Sequence, residues 1–128
     1  MQSHSLYILD AAGCPVPCQC VTDWRAWFDA ADRTVALDTL PSGTSVHTVF
    51  LSLNHAFRPG PPVLWETVVE GGPFEQVARY TSCNDAIDGH ESIVNAVMAA
   101  EAALAERARA SEYHRACPNW LGLAGVDE

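Results

Sequence analysis

Residues 45–70, SVHTVFLSLNHAFRPGPPVLWETVVE, constrain the fold more than any other part of the chain. Val46, Thr48, Phe50 and Ser52 alternate with His47, Val49, Leu51 and Leu53, a period of two in β-branched and aromatic residues that predicts a strand with two largely apolar faces. Residues 63–70 have the same β-rich composition and predict a second strand. Between them Gly60 is flanked by prolines, which forces a turn. The two strands therefore pair antiparallel across a connection of about nine residues, longer than the two to five usual for hairpins. Loops longer than their scaffold needs are where function concentrates, and Asn54, His55 and Arg58 are the candidate partner-binding residues of this one. If Leu53 pairs with Val63, Phe50 stands opposite Glu66 on one face, and Val49, Leu51, Trp65 and Thr67 share the other.

A chain of 128 residues has the length of a single domain. At this size roughly two-thirds of the unfolded surface is hidden, so one core suffices without a disulfide or metal. Seven arginines, no lysine and sixteen acidic residues give a net charge of −9. That balance argues against direct nucleic-acid binding, which requires a basic stripe along the phosphates. It suits docking on a basic surface, such as the nucleic-acid groove of another protein, and it also serves solubility. The opening MQSHSLYILDAAG lacks a positive start and a long apolar core, and no run approaches the roughly twenty apolar residues of a spanning helix. The expectation is a soluble protein of the host cytoplasm with no membrane partner. Five cysteines, an odd number without the spacing of a secreted framework, agree with free thiols in a reducing compartment.

In chain order, residues 6–10 predict a short strand or extended arm, broken by Gly13, Pro15 and Pro17. In CPVPCQC, Cys14, Cys18 and Cys20 are near enough to share a metal, with His114 and Cys117 as distant complements. Their spacing is not the C-x2-C or C-x4-C of zinc ribbons and fingers, so incidental thiols are the plainer reading, no cofactor is expected, and zinc is the metal such a set would take. After Thr22, the residues Trp24, Trp27, Phe28 and Ala31 fall at helical spacing, and Asp23 suits a first turn. A short amphipathic helix follows, its aromatic residues anchoring it on a sheet. Residues 35–40 predict a strand ending at Pro41, Ser42 and Gly43, and residues 77–81 predict another after a Gly-Gly-Pro turn. Ser82 and Asp85 have the form of a capping box. Beyond them Ile87, Val94, Val97 and Met98 form the stripe of a long helix reaching Arg109, with His90 on that stripe. Residues 111–128 hold Pro118, Trp120, Leu121 and Leu123 among glycines, a tail that wraps the domain or offers Trp120 to a partner. The expected architecture is one α+β domain over residues 1–110: an antiparallel sheet of four or five strands, a short helix near the start, and a long carboxy-terminal helix packed on one face.

The blocks VHTVFLSLNH, the proline-rich turn, LWETVVEGG, ARY and AIDGH occur in that order. They resemble a family of small phage and prophage proteins, which reads V-S-T-V-F-L-G-L-D-H, a Gly-Pro turn, F-E-T-M-V-F-G, an R-Y segment with a threonine, and a helix with G-H. The resemblance covers residues 24–98, and what it implies is context, an accessory gene of a mobile element. This chain departs from the pattern at His47, Asn54 and Trp65, where the family has Ser, Asp and Phe. The polar positions that match are Thr48, His55, Glu66, Thr67, Arg79, Tyr80 and His90.

Three of these, His55, Glu66 and His90, are the candidate catalytic set, either as a two-His-one-carboxylate metal site or with Glu66 orienting an imidazole for acid/base work. A structural account serves the same residues: Glu66 and His90 as a buried pair joining helix to sheet, and Asn54 with His55 capping the loop. A nucleophile elbow, a phosphate-binding glycine loop, H-E-x-x-H and the S-x-x-K set are all absent from the sequence. The first functional expectation is a non-enzymatic phage or mobile-element accessory protein that binds a host protein, of the kind that inhibits a defence system such as CRISPR, by occupying a basic surface. The alternative is a small metal-dependent or acid/base enzyme using His55, Glu66 and His90. Homodimerisation through the tryptophan-bearing helix or the tail is compatible with either.

Overall fold

The computed structural model describes residues 5–116. In order these form β1 (Tyr7–Leu9), β2 (Pro15–Pro17), α1 (Val21–Ala30), β3 (Thr34–Thr39), β4 (Ser45–Phe50), β5 (Trp65–Glu70), β6 (Gln76–Tyr80) and α2 (Cys83–Ala116). The fold is α+β, with two antiparallel sheets and a long carboxy-terminal helix. Packing divides the chain into two units, Met1–Val94 and Asn95–Glu128. Among the described residues the second unit is helix alone, since α2 continues to Ala116. The expected tail is therefore helical over residues 111–116, and the expected boundary at 110 falls inside the helix. Trp120 and Cys117 lie outside the described residues, as does the side chain of His114. Among the described residues no helix is long and apolar enough to cross a membrane.

The main sheet is a meander, β3-β4-β5-β6, with each strand antiparallel to the next. Strands β4 and β5 alternate strictly between buried and half-buried along most of their length, the mark of a sheet with one covered face. Their register pairs Phe50 with Trp65, Val49 with Glu66 and Thr48 with Thr67. This is one residue from the pairing expected at the sequence level. Leu51 N–H donates to Leu64 O at 2.7 Å, and Leu53 bridges to Leu6 instead of Val63. A one-residue shift exchanges faces, so Phe50, Trp65 and Thr67 point together to the covered side and Glu66 points away from it.

The arm does not join this sheet as a fifth strand. It forms a separate hairpin in which Tyr7 pairs with Pro17 and Leu9 with Pro15. Asp10 N–H donates to Cys14 O and Cys18 N–H to Leu6 O, both at 2.9 Å. The prolines thus occupy alternate positions whose missing N–H groups would have pointed out of the ladder, which is how a strand carries two of them.

The core gathers at one end of the covered face, where Phe50, Leu64, Trp65 and Ala86 are buried with Trp27, Tyr80 and Cys83 packed around them. The Trp27 ring meets Phe50 edge-on with centroids 5.9 Å apart, and Trp24 Nε1 donates to Ser52 O at 3.2 Å, so both tryptophans tie α1 to the end of β4. Ser52 is fully buried, has φ of 64°, and its hydroxyl has no partner among the described residues. Helix α2 begins with Ser82 Oγ accepting from Asp85 N–H at 3.0 Å. Its sheet-facing side carries Cys83, Ala86 and His90; of the expected stripe His90 and Val97 are buried, while Ile87 is 50% exposed, so the first turns are rotated from that stripe. Small side chains at Ala86 and Gly89 set that rotation by letting the sheet come close.

Candidate functional site

The polar residues of the covered face form one continuous line. His90, buried at 5% exposure, enters from α2 and bonds through both ring nitrogens. Nε2 lies 2.7 Å from Asp38 Oδ2 on β3, and Nδ1 lies 2.7 Å from Thr48 Oγ1 on β4. Thr48 Oγ1 is 2.5 Å from Thr67 Oγ1 on β5, and the Tyr80 hydroxyl of β6 donates to Thr67 Oγ1 at 3.0 Å. Each strand of the main sheet contributes one member. A carboxylate only accepts, so Nε2 carries the proton toward Asp38. In the neutral ring Nδ1 then accepts from Thr48, Thr48 from Thr67, and Thr67 from Tyr80. With that ring neutral, donation runs unbroken from Tyr80 to Asp38, an order in which each bond polarises the next.

Gly89 belongs to the same assembly. A Cβ there would collide with the Tyr80 ring, so glycine is what allows Tyr80 to lie against α2 with its hydroxyl on Thr67. The G-H pair is thereby explained in both its residues, the glycine making room for the tyrosine and the histidine joining helix to sheet.

The order Thr48, His90, Asp38 is that of a nucleophile, a base and the acid that orients it. Thr48 is fully buried, however, and its oxygen is shared with the equally buried Thr67. A reacting carbonyl has no approach to it in this arrangement. The line instead satisfies polar groups that would otherwise be buried without partners, and it fixes α2 on the sheet.

The candidate catalytic set does not come together. Glu66 lies on the face opposite His90, where Oε2 accepts from Arg79 Nε at 2.9 Å, its cross-strand neighbour. The expected Glu66–His90 pair is therefore not formed, and the carboxylate that pairs with His90 is Asp38. His55 lies in the loop and donates from its backbone N–H to Val63 O at 3.0 Å. Asn54 Oδ1 accepts from both Ala56 N–H and Val63 N–H at 2.9 Å, closing the loop at its base. Arg58 is exposed. Cys14 and Cys20 are exposed and Cys18 is half-buried, all three free. Among the described residues no group of three or more His, Cys, Asp or Glu is placed to hold a metal.

Of the polar positions shared with the phage pattern, Thr48, Thr67, Tyr80 and His90 are in the line, Glu66 and Arg79 form the outer ion pair, and His55 sits in the loop. Two residues were missed at the sequence level. Asp38 was visible as a lone acid inside a predicted strand. Phe57, 94% exposed, was visible as a lone aromatic among turn-forming residues. The chain matches no protein-family description, no curated protein and no solved structure.

Proposed function

We propose that the chain is a binding protein that occupies a basic surface of a host protein, in the manner of a defence-system inhibitor of the anti-CRISPR type. The observation that carries this reading is the placement of the acidic residues. Asp85, Asp88 and Glu91 are all exposed and recur every three residues along α2. Asp85 complements the positive end of the helix in its first turn, whereas Asp88 and Glu91, further along, repel one another at that spacing, and among the described residues no ion pair relieves them. A cationic surface laid against this row would remove the repulsion. The mobile-element context rests on the resemblance alone. Asp38, His90, Thr48, Thr67 and Tyr80 are already engaged with one another, which further supports binding over catalysis at that line.

The test is capture from a lysate of the host on the immobilised chain, followed by a salt gradient. The expected result is one basic protein retained at low salt and released as salt rises, with retention lost when Asp85, Asp88 and Glu91 are all replaced by Asn or Gln. Retention that is indifferent to salt and to those replacements would overturn the reading.

A further inference from the structure

We infer that the tip of the loop between β4 and β5 is the anchor of this binding surface. Its fit is to a protein pocket with an apolar floor and a carboxylate on its rim. The inference rests on the reading of the chain as a binding protein and assigns the residues that give the contact its specificity.

Phe57 is the most exposed large apolar residue described, at 94%. Single exposed apolar side chains are ordinary on a protein surface, so exposure is only the first observation. The second is that the loop is held. Asn54 Oδ1 bonds the N–H groups of Ala56 and Val63, nine residues apart in sequence, and His55 N–H donates to Val63 O. Asn54 N–H in turn donates to Ser5 O at 2.9 Å, tying the loop base to the arm. Beyond the tip, Pro59, Pro61 and Pro62 each fix φ, and Gly60 takes a φ of 142° that other residues resist. A loop with no task could turn with far less constraint. Fixing the backbone at the base of the loop that carries the ring removes in advance part of the ordering entropy that binding would otherwise cost.

The third observation is the neighbour. Arg58 is exposed and, among the described residues, makes no ion pair, in a chain with only seven arginines and a net charge of −9. Aromatic residues and arginine are the side chains over-represented at interface hot spots. A projecting ring buries its faces only in a concavity, and the planar guanidinium beside it matches a carboxylate through two parallel hydrogen bonds. A nucleic acid or an anionic bilayer would be met by one cation on an acidic body, which is poor complementarity for either.

The experiment replaces Phe57 by the photoreactive p-benzoylphenylalanine in the intact chain, with the same probe at Val21, an exposed position on α1, as control. Each is irradiated in host lysate, and crosslinked peptides are mapped. The expected result is one protein crosslinked from position 57 and not from 21, through a segment combining apolar residues with Asp or Glu. Capture of that protein should fall at least tenfold for Phe57→Ala. It should fall severalfold for Arg58→Ala, and severalfold for Asn54→Ala, which leaves the tip unchanged and loosens its base. Capture that needs the acidic row of α2 but is undiminished by Phe57→Ala would sink the anchor and leave the binding reading standing. Capture of nothing in any arm would sink both. Flotation with phosphatidylcholine vesicles that depends on Phe57 would replace the protein pocket by a lipid surface and overturn the inference.

Discussion

Gly89 and Ser52 show how single residues are set by backbone and space. Helix propensity alone favours alanine over glycine at an interior helical position by about 1 kcal/mol. At Gly89 the added methyl would meet the Tyr80 ring, and overpacking of this kind costs about 1–3 kcal/mol. Gly89→Ala should therefore lower stability by up to about 2 kcal/mol in urea unfolding, and the loss should disappear when Tyr80 is also replaced by alanine. Ser52 has the opposite sign. It carries a left-handed φ and a buried hydroxyl without a partner among the described residues, each of which costs about 1 kcal/mol or more. Ser52→Gly removes both, less the entropy that glycine adds to the unfolded chain. We expect a gain of about 1 kcal/mol, seen as a higher thermal midpoint with unchanged circular dichroism.

Among the elements, α2 and the sheet are joined by the line from Asp38 to Tyr80, and bonds that share members do not contribute independently. Thr48→Val leaves His90 Nδ1 and the Thr67 hydroxyl without their partner, and His90→Ala leaves Thr48 in the same position while opening a cavity. Each change alone should destabilise by about 2–3 kcal/mol. The double mutant should be less destabilised than their sum by at least about 1 kcal/mol, because the second change removes groups the first had already orphaned. Strict additivity would show that the line is not a unit. The elements themselves were legible: the period of two in β4 and β5, the turn residues between strands and the Ser82 cap all follow from local chemistry. The register was not. It depends on Leu64 reaching Leu51 and on Asn54 clamping the loop, contacts between residues far apart in sequence. A shift of one residue then moved Glu66 to the outer face and gave its expected place beside His90 to Asp38.

For the molecule as a whole, a net charge of −9 on 128 residues means self-repulsion in the folded state. Raising sodium chloride from about 20 to 300 mM shortens the Debye length to well under the molecular diameter. The thermal midpoint should rise by a few degrees. Calorimetry that finds no rise would mean local pairing already compensates the charge. The sequence by itself determined the class α+β, the strand pair around the long loop, the long helix with its cap, and the acidic surface, because periodicity, turn chemistry and charge are properties of neighbouring residues. Thr48, Thr67, Tyr80 and His90 could also be read from it as polar side chains on predicted strands and a helix, whereas the identity of the acid that pairs with His90 could not. Only the tertiary structure decided which of those positions meet, because a hydrogen bond needs partners within about 3 Å and the line draws one from each of four strands and a helix. The same folding that spends His90 and both threonines on each other leaves Phe57 and Arg58 in water, on a loop held for contact.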